Sequence, residues 1–103
     1  RAAQILMRKP SYDLSVKPFT PKEGSRGIVI NAASKVDPPD PGKNISRVDI
    51  YLDGRPYKSL EAQDGSIRAR RITLQGVRSK KTKLLLEARD ATNNLLAVHR
   101  RSI

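Results

Sequence analysis

The sequence predicts an all-β domain, a two-sheet antiparallel sandwich of about seven short strands. Three observations predict it. Seven prolines and six glycines are spread through 103 residues, cutting the chain into segments too short for long helices. Several of those segments alternate apolar and polar residues with the period of two that a half-buried strand requires. Turn-forming pairs, Asp53-Gly54, Asp64-Gly65 and Asn93-Asn94, recur between them. The length fits a single domain over residues 11–103, preceded by an arm or linker over 1–10.

The elements follow in order. Residues 2–9 (AAQILMRK) read as an extended linker or strand, since Pro10 stops a helix there. Tyr12-Asp13-Leu14-Ser15-Val16 alternates as a half-buried strand. Gly27 to Ala33 (GIVINAA), β-branched and mostly apolar, reads as a strand buried more deeply. Ser34 to Lys43 holds three prolines and reads as a surface loop. In Arg47–Leu52, Val48, Ile50 and Leu52 share one face, and Asp53-Gly54 then suits a type I′ hairpin. Pro56 makes the returning strand short or an edge strand. From Ile67 to Leu74 the apolar parity changes between Ala69 and Ile72, which predicts a bulge near Arg70-Arg71. Leu84, Leu86 and Ala88 share a face, and the polar turn Asp90–Asn94 leads to Leu95–Ile103, whose facing the pattern leaves open. The expected core is Ile28, Ile30, Val48, Ile50, Leu52, Ile72, Leu74, Leu84 and Leu86.

Composition removes several function classes. There is no cysteine, which excludes disulfide frameworks and cysteine-ligated zinc or iron–sulfur sites. The single histidine, His99, sits beside Arg100 and Arg101, whose charges disfavour a metal ion there. No nucleophile–base arrangement is visible, so no catalytic residue, cofactor or metal is assigned and the chain is read as a non-enzyme. The glycines are isolated and form no phosphate-cradling loop. Asp53 and Asp64 read as turn residues, and Asp90 as bonding its own turn. Calcium would need the Asp37–Asp40 loop to meet the Asp90–Asn94 turn, whereas the prolines already account for a rigid loop. No apolar run approaches the ~18–20 residues of a membrane-crossing helix, so no membrane insertion is expected.

The stretch from Ile28 to Arg100 resembles the bacterial immunoglobulin-like domains of surface, secreted and periplasmic proteins. The likeness is carried by Ile45-Ser46-Arg47-Val48-Asp49-Ile50-Tyr51-Leu52-Asp53-Gly54, and by Leu84–Asp90 with Asn93-Asn94. Two departures stand out: the last turn has Asn-Asn where the family has Gly-Asn, and the charge is strongly positive. The resemblance implies an immunoglobulin-like sandwich. It further implies a non-catalytic module of a larger bacterial envelope or exported protein, located in the periplasm, at the cell surface or outside the cell. Such a module acts as scaffold and protein-interaction domain, its partner another protein or neighbouring domains of its own chain.

Charge supplies the alternative reading. Twenty-one Lys and Arg against ten Asp and Glu give a formal charge of +11. Arg68, Arg70, Arg71, Lys80, Lys81, Lys83, Arg100 and Arg101 are the candidate binding residues. With Arg68 and Arg70 outward, and the last strand in the same sheet, they form one basic stripe for a polyanion: nucleic acid, anionic lipid or acidic polysaccharide. Nucleic acid is disfavoured, because no reading helix and few stacking aromatics accompany the charge, and carbohydrate is weaker still, with no tryptophan and few exposed rings. Phe19 and Tyr12 are expected to pack in the core or at an edge. The arm residues Ile5, Leu6 and Met7 are a further option, as cover for an open strand edge.

Overall fold

The computed structural model describes residues 9–74 and 81–103. Seven strands, β1 (Ser11–Phe19), β2 (Arg26–Lys35), β3 (Arg47–Leu52), β4 (Arg55–Glu61), β5 (Ile67–Leu74), β6 (Lys83–Arg89) and β7 (Leu95–Ser102), form two sheets. One sheet has the order β1-β2-β5 and the other β4-β3-β6-β7, with every neighbouring pair antiparallel. The chain crosses from the first sheet to the second after β2, returns for β5 and crosses again for β6. This is the immunoglobulin-like two-sheet pattern, with the fourth strand attached to the second sheet.

Successive strands run in opposite directions, so the connections gather at two ends. The upper end holds the loop from Val36 to Ser46, the turn from Ala62 to Ser66 and the turn from Asp90 to Asn94. Hydrogen bonds tie these together: Ala62 N donates to Ser46 O at 2.9 Å and Ser46 N to Arg89 O at 2.7 Å. The lower end holds the β1–β2 turn, the Asp53-Gly54 hairpin tip and the starts and ends of β6 and β7. Thr82 and Ile103 exchange backbone hydrogen bonds there at 2.9 and 3.0 Å.

The core lies between the sheets. Every residue of the expected core is fully buried except Leu52, which is half-buried against it. Val16, Ala32, Ile45, Leu60, Ile67 and Ala88 complete it. Ile45 belongs to the loop before β3, where no strand periodicity announces it. Pro56 does lie on an edge strand: β4 pairs only with β3, and only its Leu60 is buried. Asp53 and Gly54 both take positive φ, 51° and 82°, as a type I′ turn needs.

One local expectation is corrected, the bulge position, and two are made specific. β2 is buried more deeply than β1, as expected: Ile28, Ile30 and Ala32 are covered, while Val29 is half-buried and Asn31 exposed. The bulge in β5 lies at Arg68-Ala69 rather than at Arg70-Arg71. Ile67 pairs with Ala32 and Arg70 with Ile30, so two residues of β5 oppose the single Asn31. Ala69 adopts φ 45°, and its N–H donates to the Asn31 side chain, Oδ1 accepting at 2.8 Å. Phe19 takes the edge alternative rather than the core, half-buried on the edge strand β1. Its ring lies on the outer face of the three-stranded sheet over Gly27, where an added Cβ would come within 2.5 Å of the ring. The aromatic ring thus covers a backbone stretch that has no side chain of its own.

Candidate functional site

The seven candidate cations among the described residues do not form one stripe. β5, which carries Arg68, Arg70 and Arg71, pairs only with β2 in the three-stranded sheet. β7, which carries Arg100 and Arg101, pairs only with β6 in the other. The stripe needed those two strands in one sheet. The cross-sheet bonds place them on opposite edges of the sandwich: Tyr57 Oη on β4 donates to Thr73 O on β5 at 3.3 Å, and Arg101 Nη1 on β7 donates to Val16 O on β1 at 2.7 Å.

On the β5 edge the three arginines diverge. Arg71, paired with Val29, faces outward, with its guanidinium carbon 5.7 Å from the Phe19 ring centroid. Arg70, paired with the buried Ile30, lies on the core-facing side of an open edge and is exposed there. The bulge separates it from Arg68, so the two do not share a face. Both border a shallow cleft between β4 and β5 that also contains Glu61 and Asp64. That cleft carries mixed charge rather than a basic field.

On the β7 edge Arg101 is committed to Val16 and closes the seam between β1 and β7. Lys80 lies outside the described residues, as do Ile5, Leu6 and Met7. Lys81, Lys83 and Arg100 remain, all exposed. Lys83 pairs with Ser102 and Arg100 with Leu85, so Lys83 and Arg100 are diagonal neighbours on the outer face. With Arg101, Ser102, Leu84, Leu85 and Gly54 they line a shallow groove at the lower end.

All ten carboxylates belong to described residues, and their placement is uneven. Glu23 and Asp53 are the two at the lower end; the others sit in the upper half. Asp53 is also engaged, its Oδ1 accepting from Lys83 N at 3.0 Å. Lys22 in the β1–β2 turn and Arg55 at the start of β4 add exposed cations to the same end. Sequence reading missed this polarity. Its signal is present, because strands of alternating direction send the residues flanking every second turn to one end.

The upper half spends its charges internally. On the outer face of the four-stranded sheet, Arg47 faces Arg89 and Asp49 faces Glu87 in register, like charge opposite like. Contacts along and across the strands relieve this: Arg47 Nε to Asp49 at 3.1 Å and Arg89 Nη2 to Glu87 at 3.1 Å along their own strands, and Arg89 Nε to Asp49 at 3.6 Å on the diagonal. Ser59 Oγ donates to Asp49 Oδ1 at 2.6 Å, and Arg47 also bonds the Asn93 side chain. Beside this group, burial together with Glu87 and Asp49 raises the Tyr51 hydroxyl above its ordinary pKa.

Asp90 organises the last upper turn. Its Oδ1 accepts from Thr92 N at 2.9 Å, Thr92 Oγ1 at 3.0 Å and Asn94 N at 2.9 Å, while Oδ2 accepts from Asn94 Nδ2 at 3.1 Å. These bonds, led by the Asn94 backbone N–H, hold its carboxyl below the ordinary aspartate range. Asp40 accepts from Gly42 N at 3.0 Å, capping the short 3₁₀ turn Pro41–Lys43. Tyr12 Oη donates to Lys43 O at 2.6 Å and joins β1 to that loop. Among the described residues, no three His, Asp or Glu side chains come together as a metal site would need. His99 stands opposite Leu86, half-buried on the edge strand β7. No helix among the described residues is long and apolar enough to cross a membrane.

No family model, curated protein or solved structure matches this chain.

Proposed function

We propose that this chain is a non-catalytic immunoglobulin-like module of a larger bacterial envelope or exported protein, working as rigid scaffold and protein-interaction domain. One observation carries the reading. The polar side chains best suited to chemistry are bound into the frame itself: Asp90 in its turn, Asp49 and Glu87 among arginines, Asp53 at the hairpin tip. What this leaves for function is rigid presentation of two turn-bearing ends at fixed separation. The resemblance of Ile45–Gly54 and Leu84–Asp90 to bacterial immunoglobulin-like domains supports the same view. Fractionation of source cells with an antibody raised against the module tests it. Recovery from the periplasmic, surface or secreted fraction is expected; confinement to the cytosol overturns the exported role.

A polyanion-binding role is the second reading, favoured by the exposed cations at the lower end, of which Lys81, Lys83 and Arg100 form no ion pair among the described residues. It rests on Lys81, Lys83 and Arg100 rather than on the arginines of β5, whose neighbours include Glu61 and Asp64.

A further inference from the structure

The geometry points to the lower end as a docking cap for an anionic lipid bilayer surface. This goes beyond the scaffold reading, and its failure leaves that reading standing. Lys22, Arg55, Lys81, Lys83 and Arg100 are all exposed, and none forms an ion pair among the described residues. They come from separate connections: the β1–β2 turn, the hairpin tip, and the facing ends of β6 and β7. Both sheets therefore contribute cations to one blunt tip. Of the two carboxylates at that end, Asp53 already accepts the Lys83 amide.

The shape of this field selects the partner. A linear polyanion is tracked by a stripe or channel with stacking platforms along it. Here Lys22 and Arg55 lie in the turns at the end of the sandwich and Lys83 and Arg100 on the adjoining outer face, so the cations wrap a blunt corner that meets a plane with several of them at once. Each basic residue held near an anionic bilayer contributes about fivefold to partition, and the attraction decays within a Debye length of about 8–10 Å. Acids gathered at the opposite end are held away from the surface by the length of the strands, so the same polarity orients the module upright. The contact is electrostatic and superficial, with no segment inserted.

The test uses the full 103-residue chain with vesicles of phosphatidylcholine containing ~30% phosphatidylglycerol, and with pure phosphatidylcholine vesicles, at ~50 and ~200 mM salt. Two triple variants remove the same charge from different places: K81Q/K83Q/R100Q from the cap, and K43Q/R68Q/R70Q from the upper end and the β4–β5 cleft. The cap variant is expected to lose roughly 100-fold in partition, and the other about threefold or less. Equal losses would show that net charge alone drives binding and would overturn the cap. Binding to phosphatidylcholine as strong as to the anionic mixture would overturn it too. Duplex DNA and polyglutamate run in parallel; salt-resistant binding to either, exceeding that to vesicles, would replace the membrane with a linear polyanion. Thermal melts verify that the triple variants fold. The single substitutions Lys81→Gln and Lys83→Gln, each expected to cost about fivefold, decide the matter if a triple variant does not.

Discussion

Ser34 sits where three upper-end segments meet, and its removal should be disproportionately costly. Its Oγ donates to Gly65 O at 2.7 Å and accepts from Ile45 N at 2.9 Å, joining the end of β2 to the β4–β5 turn and to the loop before β3. Ile45 is 2% exposed and Gly65 is buried, so water cannot easily replace the lost partners. Ser34→Ala leaves one donor and one acceptor unsatisfied, at about 1–3 kcal/mol each. Partial relaxation brings the total to about 2–4 kcal/mol, which for a domain of this size lowers Tm by roughly 10–25 °C. Circular dichroism melts and urea titrations of the wild type, Ser34→Ala and Ser34→Thr measure it. Threonine keeps the hydroxyl and is expected to recover most of the loss. A Ser34→Ala protein melting within about 3 °C of wild type would refute the argument, as would a threonine variant as unstable as alanine.

Four further outcomes are expected. Ala69→Gly relieves a non-glycine residue at φ 45° in the β5 bulge and should raise stability by about 0.5 kcal/mol, or ~2–4 °C in Tm, once the greater freedom of glycine in the unfolded chain is subtracted. Leu86, fully buried in the centre of the four-stranded sheet, should lose about 2–5 kcal/mol on replacement by alanine. Leu95→Ala, at a site 49% exposed, should stay within about 0.5 kcal/mol by the same urea titration. For Asp90, the folded carboxyl titrates below the ordinary value of 3.8, so its stabilisation is complete above that value and fades as pH falls through the lowered one. Melts between pH 7 and pH 2 should therefore fall less steeply at the acid end for Asp90→Asn than for wild type.

Much of the fold is legible because its signals are local. Val48, Ile50 and Leu52 declare a face by parity, Asp53-Gly54 declares a hairpin, and Pro56 declares an edge. What was misplaced depends on pairing between distant strands. The parity change in β5 is visible in sequence, but its position is fixed by Asn31, whose side chain bonds Ala69 N across the ladder. For Phe19 the sequence leaves core and edge both open, and the choice is made by its partner across the strand pair, Gly27, which leaves an open patch on the outer face for the ring. The basic stripe failed for the same reason at larger scale. Arg70 and Arg100 are each on alternating strands, but nothing local states that β5 and β7 close opposite edges of different sheets.

Stability and binding are divided between the two ends of this domain, and that division is itself testable. The upper end holds Ser34, Asp90 and the Arg47–Asp49–Glu87–Arg89 group, whose charges and hydrogen bonds neutralise one another. The lower end holds Lys22, Arg55, Lys81, Lys83 and Arg100, which have no ion-pair partner among the described residues. A side chain already engaged within the fold has less to offer a ligand, whereas an unpaired exposed cation contributes little to folding and remains free to bind. Substitutions far apart and without shared partners add in free energy. A chain carrying Ser34→Ala together with K81Q/K83Q/R100Q should therefore show the melting loss of the first and the vesicle-binding loss of the second, each unchanged by the other when binding is measured below the lowered Tm. A vesicle affinity that falls with Ser34→Ala alone, in protein still folded at the assay temperature, would mean that the two ends are coupled through the sheets and that the cap depends on the upper clasp.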